Sequence, residues 1–153
     1  VLDPPDSSRT TPPQPFERDK LWLENATMEM MDLGNFPVGS LTFDDVESIS
    51  GLMAAWVRRK TVEASLIVEK LLKRVVDDMR ADNKSICVST RMYTMSMDAW
   101  AKSGAPQGAQ RAAEIHSAMV TMYEASGDPS IAPSSISYNT LVNAWCKSSD
   151  PEA

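Results

Sequence analysis

Three tryptophans recur in this chain at one spacing and inside one short phrase. Trp56, Trp100 and Trp145 are separated by 44 and then 45 residues. Self-similarity at a fixed period of this length predicts stacked repeats rather than one closed globule. Repeat arrays usually work through an extended surface and not through a single cleft. The phrase reads Ala55-Trp56-Val57-Arg58, Ala99-Trp100-Ala101-Lys102 and Ala144-Trp145-Cys146-Lys147.

Apolar residues before each tryptophan follow the period of an α-helix. Ile49, Leu52, Met53 and Trp56 lie at i, i+3, i+4 and i+7, which predicts one buried stripe on a helix capped by Thr42. We therefore expect the tryptophans to pack in the core. The pattern returns as Tyr93, Ser96, Met97 and Trp100 and again as Tyr138, Leu141, Val142 and Trp145.

A second stripe follows each of the first two tryptophans at matching offsets of 8, 12, 15, 19 and 23 residues. Gly104 is expected to end one helix and Pro106 to open the next. The predicted fold is all-α, an α-solenoid of antiparallel helix pairs. The two stripes are Ala64, Val68, Leu71, Val75 and Met79, and Gly108, Ala112, Ile115, Met119 and Tyr123.

The repeats divide the chain into four parts. Residues 1–40 form a Pro-rich acidic leader that we expect to be disordered, with one helix over 16–31. In that helix Leu21, Met28 and Met31 are expected to share the apolar face, with Leu23 and Met30 flanking it. Repeat one is assigned to 41–86 and repeat two to 87–136. Residues 137–153 are assigned to the first helix of a truncated third repeat.

Charge is distributed unevenly along the 153 residues, whose net charge is −6. Residues 1–50 carry three basic and ten acidic residues, whereas 51–91 carry nine basic and five acidic residues. The total charge is therefore a poor guide to what the repeats bind. No stretch approaches the roughly 18 apolar residues of a membrane span, so we expect no membrane partner.

Catalytic and metal-binding patterns are not found in the sequence. The single His116 and the distant Cys87 and Cys146 form no ligand cluster and no nucleophile–base pair, so we expect no enzyme, no metal and no cofactor. The cysteines are interpreted as small apolar fillers, and His116 as a packing or surface residue. The acidic pair Asp77-Asp78 is interpreted as part of a solvated helix face.

The segment 133–148 resembles the first helix of a pentatricopeptide repeat. Its landmarks are Pro133, the run Tyr138-Asn139-Thr140-Leu141 and the pair Cys146-Lys147. Residues 91–104 are a looser copy, and the long period resembles the extended repeats of algal members. The resemblance implies a helical array that binds single-stranded RNA in a mitochondrion or plastid, for RNA processing or stability.

The resemblance also implies which residues read the RNA. In this family the residue after the tyrosine of the first helix and the residue after the proline at the repeat's end contact one base. An apolar residue near the helix start flanks that base. By this rule the base-reading residues are Thr94 with Ser134, then Asn139, and Ser50 with Ser89, and the flanking residue is Ile136. The same polar residues are also typical of caps and solvated positions, and both interpretations stay open.

A basic residue lies two positions after every tryptophan. Arg58, Lys102 and Lys147 would form a row of cations one repeat apart, suited to RNA phosphates. The alternative is that each complements the carbonyl end of its own helix. A second hypothesis for the whole chain is a helical-repeat scaffold that binds another protein, which the net acidity favours.

Overall fold

The computed structural model describes residues 15–148, and this part of the chain is entirely helical. It contains six α-helices and one 3₁₀ helix, and no strand between residues 15 and 148. The predicted all-α class is confirmed. The helices are α1 Pro15–Met31, α2 Phe43–Val57, α3 Val62–Arg80, α4 Thr90–Lys102, α5 Gly108–Ser126 and α6 Ser135–Ser148, with the 3₁₀ helix at Pro129–Ile131.

Thr42 caps α2 as its sequence predicts. The Thr42 hydroxyl accepts from the backbone N–H of Asp45 at 3.2 Å. The Asp45 carboxylate accepts from the backbone N–H of Thr42 at 2.9 Å. Two backbone donors that the helix itself leaves unpaired are thereby satisfied.

The predicted stripes of the first two helix pairs form the core. All four residues of the α2 stripe and all four of the α4 stripe are buried. In the α3 stripe, Ala64, Val68, Leu71 and Val75 are buried and Met79 is partly buried. In the α5 stripe, Gly108, Ala112, Ile115 and Met119 are buried and Tyr123 is partly buried. The amphipathic pattern therefore locates the core of residues 43–126.

Packing between the helices follows one rule through the described residues. α2 lies against its own second helix, α3, and against the next first helix, α4. α4 in turn lies against α5 and α6. Each second helix also contacts the first helix of the following unit, as α3 contacts α4 and α5 contacts α6.

α1 packs with a different face from the one predicted. Leu23 and Met30 are buried, whereas Leu21 is 60% and Met28 69% exposed. The buried residues of α1 match the α3 stripe at an offset of 45 residues. Leu23 corresponds to Val68, the partly buried Ala26 to Leu71, and Met30 to Val75. α1 therefore lies against α2 as a second helix lies against the next first helix, and this contact selects its buried side.

Two predicted boundaries shift by a few residues. α5 begins at Gly108, because Pro106 and Gln107 form a turn before it in which the Gly108 N–H donates to the Ala105 carbonyl at 3.0 Å. α6 begins at Ser135, two residues before the assigned start of the third unit. The predicted disorder before residue 15 and the residues after 148 lie outside the described part.

The third tryptophan does not lie in the core. Trp145 is 51% exposed, whereas Trp56 and Trp100 are 1% and 2% exposed. α6 instead buries Ser137 and Ala144 against the helices before it. The expected core role is confirmed for the first two tryptophans and is wrong for the third, since the described helices leave about half of Trp145 exposed.

A buried ion pair connects α3 to the loop between α1 and α2. Asp78 is fully buried, not solvated as expected, and Arg74 Nη1 lies 2.5 Å from its carboxylate. The backbone N–H groups of Gly39 and Leu41 donate to Asp78 at 2.8 and 3.0 Å. Arg74 donates to the carbonyl of Phe36. This pair therefore holds the loop that leads into α2.

Candidate nucleic-acid interface

One side of α4 carries a half-buried polar stripe with one residue per helical turn. Thr90, Thr94, Asp98 and Lys102 are four residues apart, so they lie along one face. α6 repeats the stripe with exposed residues, whereas α2 replaces most of it with buried or apolar ones. The α6 residues are Ser135, Asn139, Asn143 and Lys147, and the α2 residues are Val46, Ser50, Ala54 and Arg58.

Three of the predicted site residues line one cavity between α4 and α6. The cavity has a volume of about 800 Å³ and is open to the surface. Thr94 projects from α4, and Ile136 lies in the first turn of α6. Ser134 lies at the end of the linker, residues 127–134, that joins α5 to α6. The linker brings Ser134 and Ile136 across from Thr94, although they are 40 and 42 residues apart in sequence.

Thr90 holds the linker against the start of α4. Its hydroxyl is 3.0 Å from the carbonyl of Ser130 and 2.8 Å from that of Ala132. These contacts close one wall of the cavity. Sequence reasoning missed Thr90, although its spacing of four residues from Thr94 is a usable signal.

Ser134 has a capping role whatever else it contacts. It precedes α6, and its hydroxyl accepts from the backbone N–H of Ser137 at 3.3 Å. The Ser137 hydroxyl accepts from the Ser134 N–H at 3.0 Å and donates to the Ser134 carbonyl at 2.9 Å. The capping interpretation of Ser134 is therefore confirmed, and its location in the cavity is compatible with a second role.

His116 of α5 fixes α6 at the other side of its first turn. Its ring is buried, lies 4.7 Å from the ring of Tyr138 and approaches the Ser137 hydroxyl at 3.4 Å. Burial lowers the pKa of His116, because the charged ring is not solvated there. The expected packing role of His116 is confirmed.

The remaining predicted base-reading residues do not line this cavity. Ser50 is buried within α2, which removes it from the surface where Thr94 lies. Ser89 is the N-cap of α4 and accepts from the backbone N–H of Met92 at 3.3 Å. Asn139 is exposed on α6, one helical turn from Ser135.

The three predicted cations all lie at the ends of first helices but differ in their surroundings. Arg58 is the C-cap residue of α2 and is exposed. Lys102 is half-buried, and its Nζ lies 2.8 Å from the carboxylate of Asp98. Lys147 is exposed near the end of α6. Their position suits both phosphate contact and interaction with the helix carbonyls.

Other kinds of site are not found within the described residues. No group of three or more His, Cys, Asp or Glu side chains there is arranged to hold a metal ion. Both cysteines are free and exposed, so their expected role as apolar fillers is wrong. No helix between residues 15 and 148 is long and apolar enough to span a bilayer. Comparisons of the chain with protein-family models, with curated proteins and with solved structures found no match.

Proposed function

We propose that this chain binds single-stranded RNA along the surface of α4 and α6, as part of a solenoid of pentatricopeptide type. The observation that carries the proposal is the shared cavity of Thr94, Ser134 and Ile136. The family resemblance assigned Thr94 and Ser134 to one base and gave Ile136 a base-flanking role, and all three line one opening of about 800 Å³. Small-ligand sites have volumes of about 300–1,000 Å³.

The helix arrangement supports an extended array. First helices contact each other through α2 and α4 and through α4 and α6, with a second helix packed beside each. The polar stripes of α4 and α6 would then run side by side along one surface, each ending in a lysine. A flexible strand could place its bases near the starts of these helices and its phosphates near Lys102 and Lys147.

The setting proposed for this binding follows from the resemblance. Pentatricopeptide proteins act on organellar transcripts, so we place the chain in RNA processing or stability in a mitochondrion or plastid. The proposed role is binding, without a catalytic step.

Neutralising the lysines at the ends of α4 and α6 tests the proposal. Lys102→Gln with Lys147→Gln should weaken binding of an unstructured RNA, measured by fluorescence anisotropy over a salt series. Because each lost phosphate contact changes the salt slope of a single strand by about 0.7, the double variant should show a slope shallower by about 1.4. Lys70→Gln with Lys84→Gln, at exposed lysines on α3 and after it, is the matched control. Equal slopes for the two variants would contradict phosphate contact, and absent binding by the unaltered chain would refute the proposal.

A protein-binding scaffold is the second candidate, and the exposed face of α6 favours it. Tyr138, Val142 and Trp145 are each at least half exposed on this one helix. Contiguous exposed apolar patches are a mark of protein interaction sites. Two results together would support the scaffold. Neither double variant would lose RNA binding in the same assay, and Val142→Glu would disrupt a protein complex.

A further inference from the structure

Two hydroxyl groups of the α4–α6 cavity use their protons on their own helices. The Thr94 hydroxyl donates to the carbonyl of Thr90 at 2.8 Å, and the Thr140 hydroxyl donates to the carbonyl of Ile136 at 2.8 Å. A hydroxyl has one proton and two lone pairs, so each of these oxygens can only accept a further hydrogen bond. Both threonines therefore present acceptors to the cavity.

The other hydroxyls of the lining differ from one another. The one hydroxyl proton of Thr90 is directed at the linker carbonyls of Ser130 and Ala132, so Thr90 holds the wall. Ser134 accepts from the N–H of Ser137, so its own proton is available to a ligand. One hydroxyl donor thus accompanies the two acceptors.

Asp98 adds a charged acceptor to the lining. It lies one helical turn after Thr94, and its side chain remains 27% exposed beside Lys102. A carboxylate has about four lone-pair positions, so the contact with Lys102 leaves others open. The equivalent positions of α2 and α6 hold Ala54 and Asn143, which makes the carboxylate specific to this cavity.

Arg91, the cationic residue of the lining, is separated from Asp98 along α4. Arg91 is exposed in the first turn of α4 and precedes Asp98 by seven residues, which is about 10 Å along a helix. The walls also include the apolar side chains of Met95, Pro133 and Ile136. Such walls fit the flat face of a base, and the acceptors then meet its edge.

We propose that Asp98 is a specificity-determining residue, which with Thr94 and Thr140 selects guanine over uracil in this cavity. The N1–H and N2 amino protons of guanine are adjacent donors that match a carboxylate. Adenine and cytosine offer one amino group each on the corresponding edge. Uracil carries carbonyl oxygens on both sides of its N3–H, and these oppose a carboxylate. The inference rests on the proposed RNA binding and adds the base class that this cavity takes.

Removing one amino group from the RNA base tests the proposal directly. A short uridine strand with guanosine at every third position is compared with the same strand carrying inosine, which lacks the N2 amino group. Wild-type protein should bind the guanosine strand roughly ten-fold more tightly, as expected for a bidentate contact to a base edge. Asp98→Asn keeps the side-chain size, and the preference should fall to within about two-fold. Because this variant also releases Lys102, the ratio of the two affinities is the quantity to compare.

Asp82→Asn removes an exposed carboxylate after α3 and is the matched control, which should leave the ratio unchanged. Equal binding of the two strands by wild-type protein would overturn the two-donor contact to guanine on which the proposed selection rests, while leaving RNA binding intact. A preference that survives in Asp98→Asn with a wild-type circular dichroism spectrum would overturn the role of Asp98. Wild-type protein that binds neither strand would refute the proposed function itself, a result distinct from the other two.

Discussion

At the scale of single residues, equivalent sequence positions have different structural roles. Trp56 donates its indole N–H to Thr27 of α1 at 2.9 Å, and Trp100 donates to Glu69 of α3 at 2.9 Å. Each buried tryptophan is thus connected to the second helix of the unit before it. The two partners differ in chemistry and lie 29 and 31 residues before their tryptophans, so the units share the helix that the indole reaches and not the position that it contacts.

Replacing the Asp78 carboxylate by an amide of the same size should cost much stability. Asp78→Asn leaves Arg74 buried without its counter-charge, and breaking a buried pair typically costs about 3–5 kcal/mol. We expect the free energy of unfolding to fall by about that amount in urea denaturation. The adjacent Asp77→Asn is the control, because Asp77 forms an exposed pair with Lys73 and such pairs contribute about 0–1 kcal/mol. Equal effects of the two variants would contradict this role.

Acid titration gives the same residue a second readout. Burial alone would raise the pKa of Asp78, but hydrogen bonds from Gly39, Asn83 and Leu41 and the charge of Arg74 outweigh it and lower the pKa below 3.8. A lowered pKa in the folded state stabilises the fold above the unfolded pKa, and this contribution is lost as the pH falls through the folded value. The wild-type chain should therefore lose stability below about pH 4 more steeply than Asp78→Asn.

At the scale of elements, α4 and α5 approach unusually closely at one glycine. A Cβ on Gly108 would lie 2.6 Å from the carbonyl oxygen of Trp100, which is backbone and cannot move aside easily. The short distance between α4 and α5 therefore depends on the absence of a side chain at the first position of α5. The corresponding residue in the preceding pair is Ala64, so the two pairs cannot pack identically.

Substituting two glycines should give opposite results. Gly108→Ala forces α5 away from α4 and should destabilise the chain by about 1–3 kcal/mol. Gly51→Ala lies inside α2, where an added Cβ meets no atom within 4 Å, and should stabilise by about 0.5–1 kcal/mol. Thermal unfolding of both variants checks the pair. A stable Gly108→Ala protein would show that the helices have room to separate.

At the scale of the whole molecule, the two ends of the described chain are less covered than its middle. α2 and α4 are each packed between second helices, whereas α1 and α6 expose apolar residues. Stability is therefore concentrated in residues 43–126. The exposed residues are Leu21, Trp22 and Met28 on α1 and Ile136, Tyr138, Val142 and Trp145 on α6.

Hydrogen exchange should detect this gradient. Amides of α6 are expected to exchange well before those of α2, α3 and α4, because opening α6 exposes little additional apolar surface. Mass spectrometry of peptides from residues 136–147 and 91–102 compares the equivalent segments of α6 and α4. Equal protection of these two segments would contradict the gradient and imply that the exposed face of α6 is covered in solution.

The amino-acid sequence by itself determined the helical class, the stripes of α2 to α5 and the cap at Thr42. These features depend on the period of a helix and on contacts between residues a few positions apart, which a linear pattern records. It also marked Thr94, Ser134 and Ile136, but only through the family resemblance. Thr90 and Asp98 were missed, although their four-residue spacing around Thr94 was visible.

Only the tertiary structure decided which of several similar positions is buried and what each polar group contacts. Leu23 replaces Leu21 in the core because α2 lies on that side of α1, and Asp78 is buried because the loop before α2 folds onto α3. The burial of the three tryptophans differs for the same reason. Their spacing is local information, whereas their burial depends on whether another helix lies over them, and the described helices cover Trp56 and Trp100 but leave half of Trp145 exposed.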